Sequence, residues 1–242
     1  MKKIRFGNSV SLGYYPHIAA FISVFLFISV IVSLMFPADI PTAGDTDVKK
    51  TVIIDAGHGG EDCGTIGTSG VYEKDLNFEI SMKLGDYLTA AGYNVIYTRT
   101  EDRLLYTDAE NIKGIRKISD LKNRVAIANS YSDAIFVSIH MNSYGASSCH
   151  GLQVYYSKNA EGSRTLAESV QTSVKNKLQH SNNRTVKEGS ELYILENSSN
   201  PAVIIECGFL SNPEECEKLS EKEYQKEVSF AILCGIIDYS KK

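Results

Sequence analysis

Apolar residues along this chain follow two rhythms. Thr51-Val52-Ile53-Ile54, Ala134-Ile135-Phe136-Val137 and Ala202-Val203-Ile204-Ile205 are short unbroken runs, the pattern of strands buried on both faces. Helical spacing lies between them. Leu76, Ile80, Leu84, Leu88 and Ala91 mark a helix over Asp75 to Ala91, with Gly92 where a C-terminal cap belongs. Tyr93 to Thr98 reads as the next strand, Leu121 to Ser130 as a helix, and Leu152 to Tyr156 as a shorter, more exposed strand. Ser163 can cap a helix reaching about Gln179, with Leu166, Val170, Val174 and Leu178 every four residues, and Lys222 to Tyr239 forms a long final helix. Strands alternating with helices predict an α/β fold of three α/β/α layers around a mostly parallel central sheet.

Parallel strands end on one edge, and in open α/β sheets that edge is where ligands and chemistry gather. Each apolar run ends there in a group that can bind a metal or move a proton. The first leads through Asp55-Ala56-Gly57 to His58, the second through Ser138-Ile139 to His140, and the third directly to Glu206. Glu73, ahead of the first helix, completes a set of two imidazoles and two carboxylates. A catalytic zinc takes three His or carboxylate ligands and keeps a fourth position open, which points to one ion held by His58, Glu73 and His140. Such an ion polarises a carbonyl, but a base must still collect a proton, and Glu206 is placed to do so.

Each of these residues has a plainer explanation when taken alone. His58 sits among Gly57, Gly59 and Gly60 and could be a solvated loop residue. Those glycines could also cradle a phosphate, but neither a Lys-Ser/Thr ending nor GxGxxG spacing follows. Glu73 could serve only the helix dipole, and His140 could be a hydrogen-bonded strand-end histidine. Glu206 resists such a reading, because a carboxylate emerging from a buried strand is costly unless paired or functional. His150 and His180 lie in polar segments without ligand-like neighbours.

Composition narrows the setting. The 242 residues suffice for one sizeable α/β domain, and a net charge of -4 argues against nucleic acid as a partner. Lys2, Lys3 and Arg5 are the only charges before Pro37, and the 19 residues from Ile18 to Phe36 carry none. As a helix that stretch covers roughly 28 Å, near the bilayer hydrocarbon thickness of about 30 Å. Preceding basic residues place the N-terminus inside and the rest of the chain outside the membrane. The competing reading is a cleaved signal peptide ending near Pro41-Thr42-Ala43, followed by secretion. The expected organisation is therefore a basic segment and anchor over 1–36, a linker over 37–50 and a catalytic domain over 51–242. The five cysteines are odd in number and lack CxxC spacing, which indicates neither a disulfide framework nor a thiolate zinc site.

Four ordered blocks resemble a known family. They are Val52-Ile53-Ile54-Asp55-Ala56-Gly57-His58-Gly59-Gly60, Glu73-Lys74-Asp75-Leu76-Asn77, Val137-Ser138-Ile139-His140-Met141-Asn142 and Glu206-Cys207-Gly208-Phe209-Leu210-Ser211-Asn212. They look like the signature blocks of the type 3 N-acetylmuramoyl-L-alanine amidases, over about residues 51 to 239. The resemblance implies a zinc-exopeptidase-like layered fold, zinc on His58, Glu73 and His140, and Glu206 as catalytic base. It further implies hydrolysis of the amide between the muramic acid lactyl group and L-alanine of the peptidoglycan stem peptide. Cys207 and Met141 stand where other apolar residues are common in the family. The segments Arg99 to Arg124 and Asn142 to Gly151 leave no room for the long inhibitory helix of division-associated members. A membrane anchor, a single catalytic domain and Lys113-Gly114 make the chain most similar to the germination-specific amidases of the spore cortex. That implies action between two membranes of the developing spore, ahead of a peptidoglycan deacetylase and with an accessory protein as a possible partner. The alternatives are a general cell-wall or cell-separation amidase, a zinc peptidase acting on free peptides, and a non-catalytic membrane-tethered wall-binding protein.

Overall fold

Strand β1 (Thr51–Ala56) is the apolar run that leads to His58, and its residues from Val52 to Ala56 are all buried. It lies between β2 (Asn94–Tyr97) and β3 (Ala134–Asn142), parallel to both, and β3 pairs parallel with β6 (Ala202–Phe209). Beyond β6 come β4 (Gln153–Tyr156), antiparallel to it, and the two-residue β5 (Lys187–Glu188), giving the order β2-β1-β3-β6-β4-β5. These features come from a computed structural model that describes residues 49–242. The anchor expected over Ile18 to Phe36 lies outside the described residues, as does all but the end of the linker. Among the described residues no helix is long and apolar enough to cross a membrane.

Helices cover both faces of the sheet. On one face α1 (Glu73–Ala90), α3 (Ser163–Lys177) and α6 (Lys222–Ser240) bury Leu76, Leu84, Val170 and Ile232 against Val52, Val137 and Val203. On the other face α2 (Arg116–Asn129) and the short α4 (Tyr193–Asn197) pack Ala128 and Leu195 against Ile53, Phe136 and Ile204. Strands with apolar side chains on both faces thus have a core on each side, which is why their sequences run apolar without alternation.

Three expectations change and one helix is added. Strand β4 is less exposed than expected at its start: Gln153 and Val154 are buried while Tyr155 and Tyr156 are half-buried, because β5 takes the sheet edge and α3 covers the strand. Helix α2 begins at Arg116 rather than Leu121. Its first turns face inward with Ser119, Asp120 and Arg124, so no apolar period announces them. Ser163 does not cap α3; Gly162 holds the N-cap position at φ 83°, and the Ser163 hydroxyl accepts from the Ala202 amide. Finally, Asn212-Pro213 opens an additional helix, α5 (Pro213–Ser220), with the Asn212 side chain accepting from the Glu214 and Glu215 amides.

Candidate metal centre and active site

The loop after β1 is held from beneath by buried cations. The Ala56 carbonyl accepts from Arg99 Nε at 2.9 Å and Arg124 Nη1 at 2.8 Å. The Gly57 carbonyl accepts from Arg99 Nη2 and Asn77 Nδ2, and the His58 carbonyl from Arg124 Nη2 at 2.7 Å. With these carbonyls fixed, His58 adopts φ 61°, a left-handed conformation that an L side chain takes at some cost. Gly57 must be glycine for a separate reason: a Cβ there would stand 2.2 Å from His140 Nε2.

Arg124 is itself balanced by carboxylates. It donates to Asp55 Oδ1 at 2.6 Å and to Asp120 Oδ2 at 2.9 Å, and Asp55 also accepts from Thr98 and Ser138 at 2.6 Å each. Burial would raise the Asp55 pKa, but Arg124 and the two hydroxyls outweigh it and hold the carboxyl below its ordinary range. Sequence reasoning missed this network. Asp55 follows an apolar run much as Glu206 does, but its partner lies 69 residues away in a helix whose several charges read alike as a solvated face.

Above the network the structure brings together all four residues expected at the site. Glu73 is the first residue of α1 and is buried, and its Oε1 lies 3.2 Å from His58 Nε2 and 3.0 Å from His140 Nδ1. The donor atoms of the three residues all fall within 4.8 Å of one another, the one such group among the described residues. A tetrahedral ion with ligand bonds of about 2.0–2.1 Å separates its ligands by roughly 3.4 Å, close to the 3.2 and 3.0 Å between Glu73 and the two imidazoles. The residues present therefore fit a zinc ion.

The surroundings orient the donors. Asp62, which the sequence did not single out, meets His58 Nδ1 at 2.9 Å and leaves Nε2 to face Glu73. A carboxylate on the far nitrogen of a ligating histidine fixes its ring and tautomer. Burial would lower the His58 pKa, but the carboxylates of Asp62 and Glu73 prevail and raise it to about 9. Burial would likewise raise Glu73, yet both imidazoles hold it far below the carboxylate range. Amides of Thr65 and Met141 donate to its two oxygens, fixing the carboxylate in place. Lys117 completes this side of the site, 3.2 Å from Asp62.

Glu206 pairs in register with His140 and lines the same open cavity of about 400 Å³. Among the described residues its Oε2 finds no hydrogen-bond partner, and burial lifts the carboxyl to about 7. His150 and His180 are exposed and take no part. The connection from β3 to β4 is an irregular loop with no helix, so nothing helical stands over the cavity from that side. All five cysteines are free, with Cys207 and Cys216 buried.

This α/β domain and its site define the class: the chain belongs to the N-acetylmuramoyl-L-alanine amidase family, whose sequence profile matches residues 52–238, and it is an enzyme of that activity. Among particular relatives, it is 34% identical to the germination-specific N-acetylmuramoyl-L-alanine amidase of Bacillus subtilis, over 84% of this chain and 83% of the relative. It is 39% identical to the uncharacterised Bacillus subtilis protein YqiI, over 78% of this chain and 84% of that one. Its fold is similar to that of the CwlD amidase of Clostridioides difficile, solved in complex with the GerS lipoprotein. There the TM-score is 0.76 at 38% identity, covering 80% of this chain and 99% of that chain.

Proposed function

We propose that His58, Glu73 and His140 hold one zinc ion and that Glu206 is the general base of amide hydrolysis in peptidoglycan. The supporting observation is three converging donor atoms beside a buried carboxylate oxygen that lacks a partner. When bound, zinc supplies Lewis acidity to the amide carbonyl and acidifies the attacking water. Glu206 takes a proton from that water as its oxygen attacks the carbonyl carbon. The carbon–nitrogen bond then breaks, and Glu206 returns the proton to the departing amine of L-alanine, leaving a lactyl carboxylate. A carboxyl whose pKa lies near 7 can both accept and give back a proton at neutral pH.

Metal content tests the ligand set. His140→Ala is expected to lose most bound zinc, whereas His180→Ala, altered at an exposed histidine, keeps it. Equal zinc in the two proteins would overturn the assignment.

The biological setting belongs to the same proposal. The chain acts on spore cortex, removing stem peptides from selected muramic acids so that a separate deacetylase frees the amine that closes into muramic δ-lactam. Supporting this is the similarity to a germination-specific amidase and to CwlD. An accessory protein in the same compartment is part of the proposal, since CwlD was solved with a lipoprotein. So is a membrane tether over residues 18–36 with the catalytic domain outside the cytoplasm; its fourteen linker residues extend at most about 50 Å. A mature protein found soluble and beginning near Gly44 would replace the tether with secretion. Disrupting the gene should leave growth and cell separation normal while spores lack the lactam and germinate poorly. Unchanged lactam would remove the cortex role, and chained vegetative cells would favour a cell-separation amidase.

A further inference from the structure

The row of side chains at the site continues past Glu206. His140 pairs in register with Glu206 across β3 and β6, and Glu206 pairs with Gln153 across β6 and β4. Partners in register point to the same sheet face, so the three form a row with neighbouring strands about 4.8 Å apart. Arg184 stands at its end. Its Nη1 donates to Gln153 Oε1 at 3.2 Å, its Nε to the His150 carbonyl at 2.6 Å, and its guanidinium lies 4.3 Å from the centroid of the Phe209 ring.

Among the described residues, every partner found for this guanidinium is uncharged, and its Nη2 has none. The side chain is half-buried at the rim of the sheet edge. Lys117, the cation on the other side of the site, is already taken by Asp62. Two hydrogen bonds and an aromatic face have therefore fixed the Arg184 fork while leaving donors unused, and ordering a ligand on it costs little further entropy. A planar fork of N–H donors matches a carboxylate.

We infer that Arg184 forms a subsite for a carboxylate of the stem peptide, two or three residues from the scissile amide. From His140 to Gln153 the row spans two strand spacings, about 10 Å, and an extended peptide covers about 3.3–3.6 Å per residue. The inference rests on His58, Glu73, His140 and Glu206 being the reaction centre.

The test compares two substrates on the zinc-loaded full-length chain: a muropeptide with free peptide carboxylates, and the same molecule with those carboxylates converted to primary amides. The wild-type protein is expected to favour the free acid by about tenfold or more in kcat/KM, chiefly through KM, the range of a charged hydrogen-bonded pair. Arg184→Gln should bring that ratio close to one with zinc content and melting temperature unchanged, and Arg184→Lys should restore part of it. An equal loss on both substrates would make Arg184 a brace for the neighbouring loop and overturn the subsite, as would an unchanged ratio. Direct binding of both substrates to Glu206→Gln repeats the comparison without turnover. Retained turnover there marks a misplaced base, whereas equal affinities mark a misplaced subsite.

Discussion

Glu206→Gln is expected to keep its zinc and lose about a hundred- to ten-thousandfold in turnover, the usual cost of removing a general base. That loss corresponds to roughly 3–5 kcal/mol of transition-state stabilisation. The amide keeps the shape of the carboxylate but cannot accept the proton of the attacking water. Among the described residues no other acid is placed to take over. The remaining carboxylates lining the cavity are Asp62, engaged by His58 and Lys117, and Glu73, engaged by both imidazoles. Glu61 and Glu79, close to the site residues in sequence, are exposed, and Glu61 pairs with Arg116. Steady-state kinetics beside metal analysis decide the matter, and near wild-type turnover with intact metal would move the base elsewhere.

Arg124→Met should be the most destabilising single change outside the apolar core. The thioether fills much of the volume but leaves Asp55 and Asp120 as buried carboxylates without their cation, a defect that costs about 3–5 kcal/mol. In a domain of this size each kcal/mol lowers Tm by about 2–4 °C, so a fall of roughly 6–20 °C is expected. It also releases the Ala56 and His58 carbonyls, so zinc affinity should drop with stability.

The pH dependence separates this mechanism from simple loss of packing. In the wild-type protein the Asp55 pKa is held below its unfolded value, so its contribution is present above the ordinary carboxylate range and is lost on acidification. In Arg124→Met burial is no longer opposed by the guanidinium. The Asp55 pKa then rises, the folded state binds that proton more readily than the unfolded state, and stability should increase as pH falls from 7 towards the carboxylate range. Thermal melts across that interval check the sign, and parallel slopes in the two proteins would reject the account.

Burial of apolar side chains is a local and periodic signal, and the elements built on it were legible without coordinates. β1, β3 and β6 stood out as unbroken apolar runs, and α1 and α6 as amphipathic or apolar helices, because each residue announces its own preference for the core. Three of the four residues proposed for the site, His58, His140 and Glu206, were legible for a related reason: a metal-capable group at the end of a buried strand is improbable as structure and falls on the sheet edge where chemistry occurs. What only the tertiary structure decided are pairings between polar groups distant in the chain. Helix α2 hides its first turns because its inward face carries Asp120 and Arg124, which become core residues only once Asp55 is opposite them. Strand β4 starts buried because β5 takes the sheet edge and α3 covers it, and Gln153 meets Glu206 only through the β6–β4 register. A hydrophobic side chain is satisfied by any apolar neighbour, so its position follows from pattern; a buried charge is satisfied by one partner in one geometry, and only the fold names that partner.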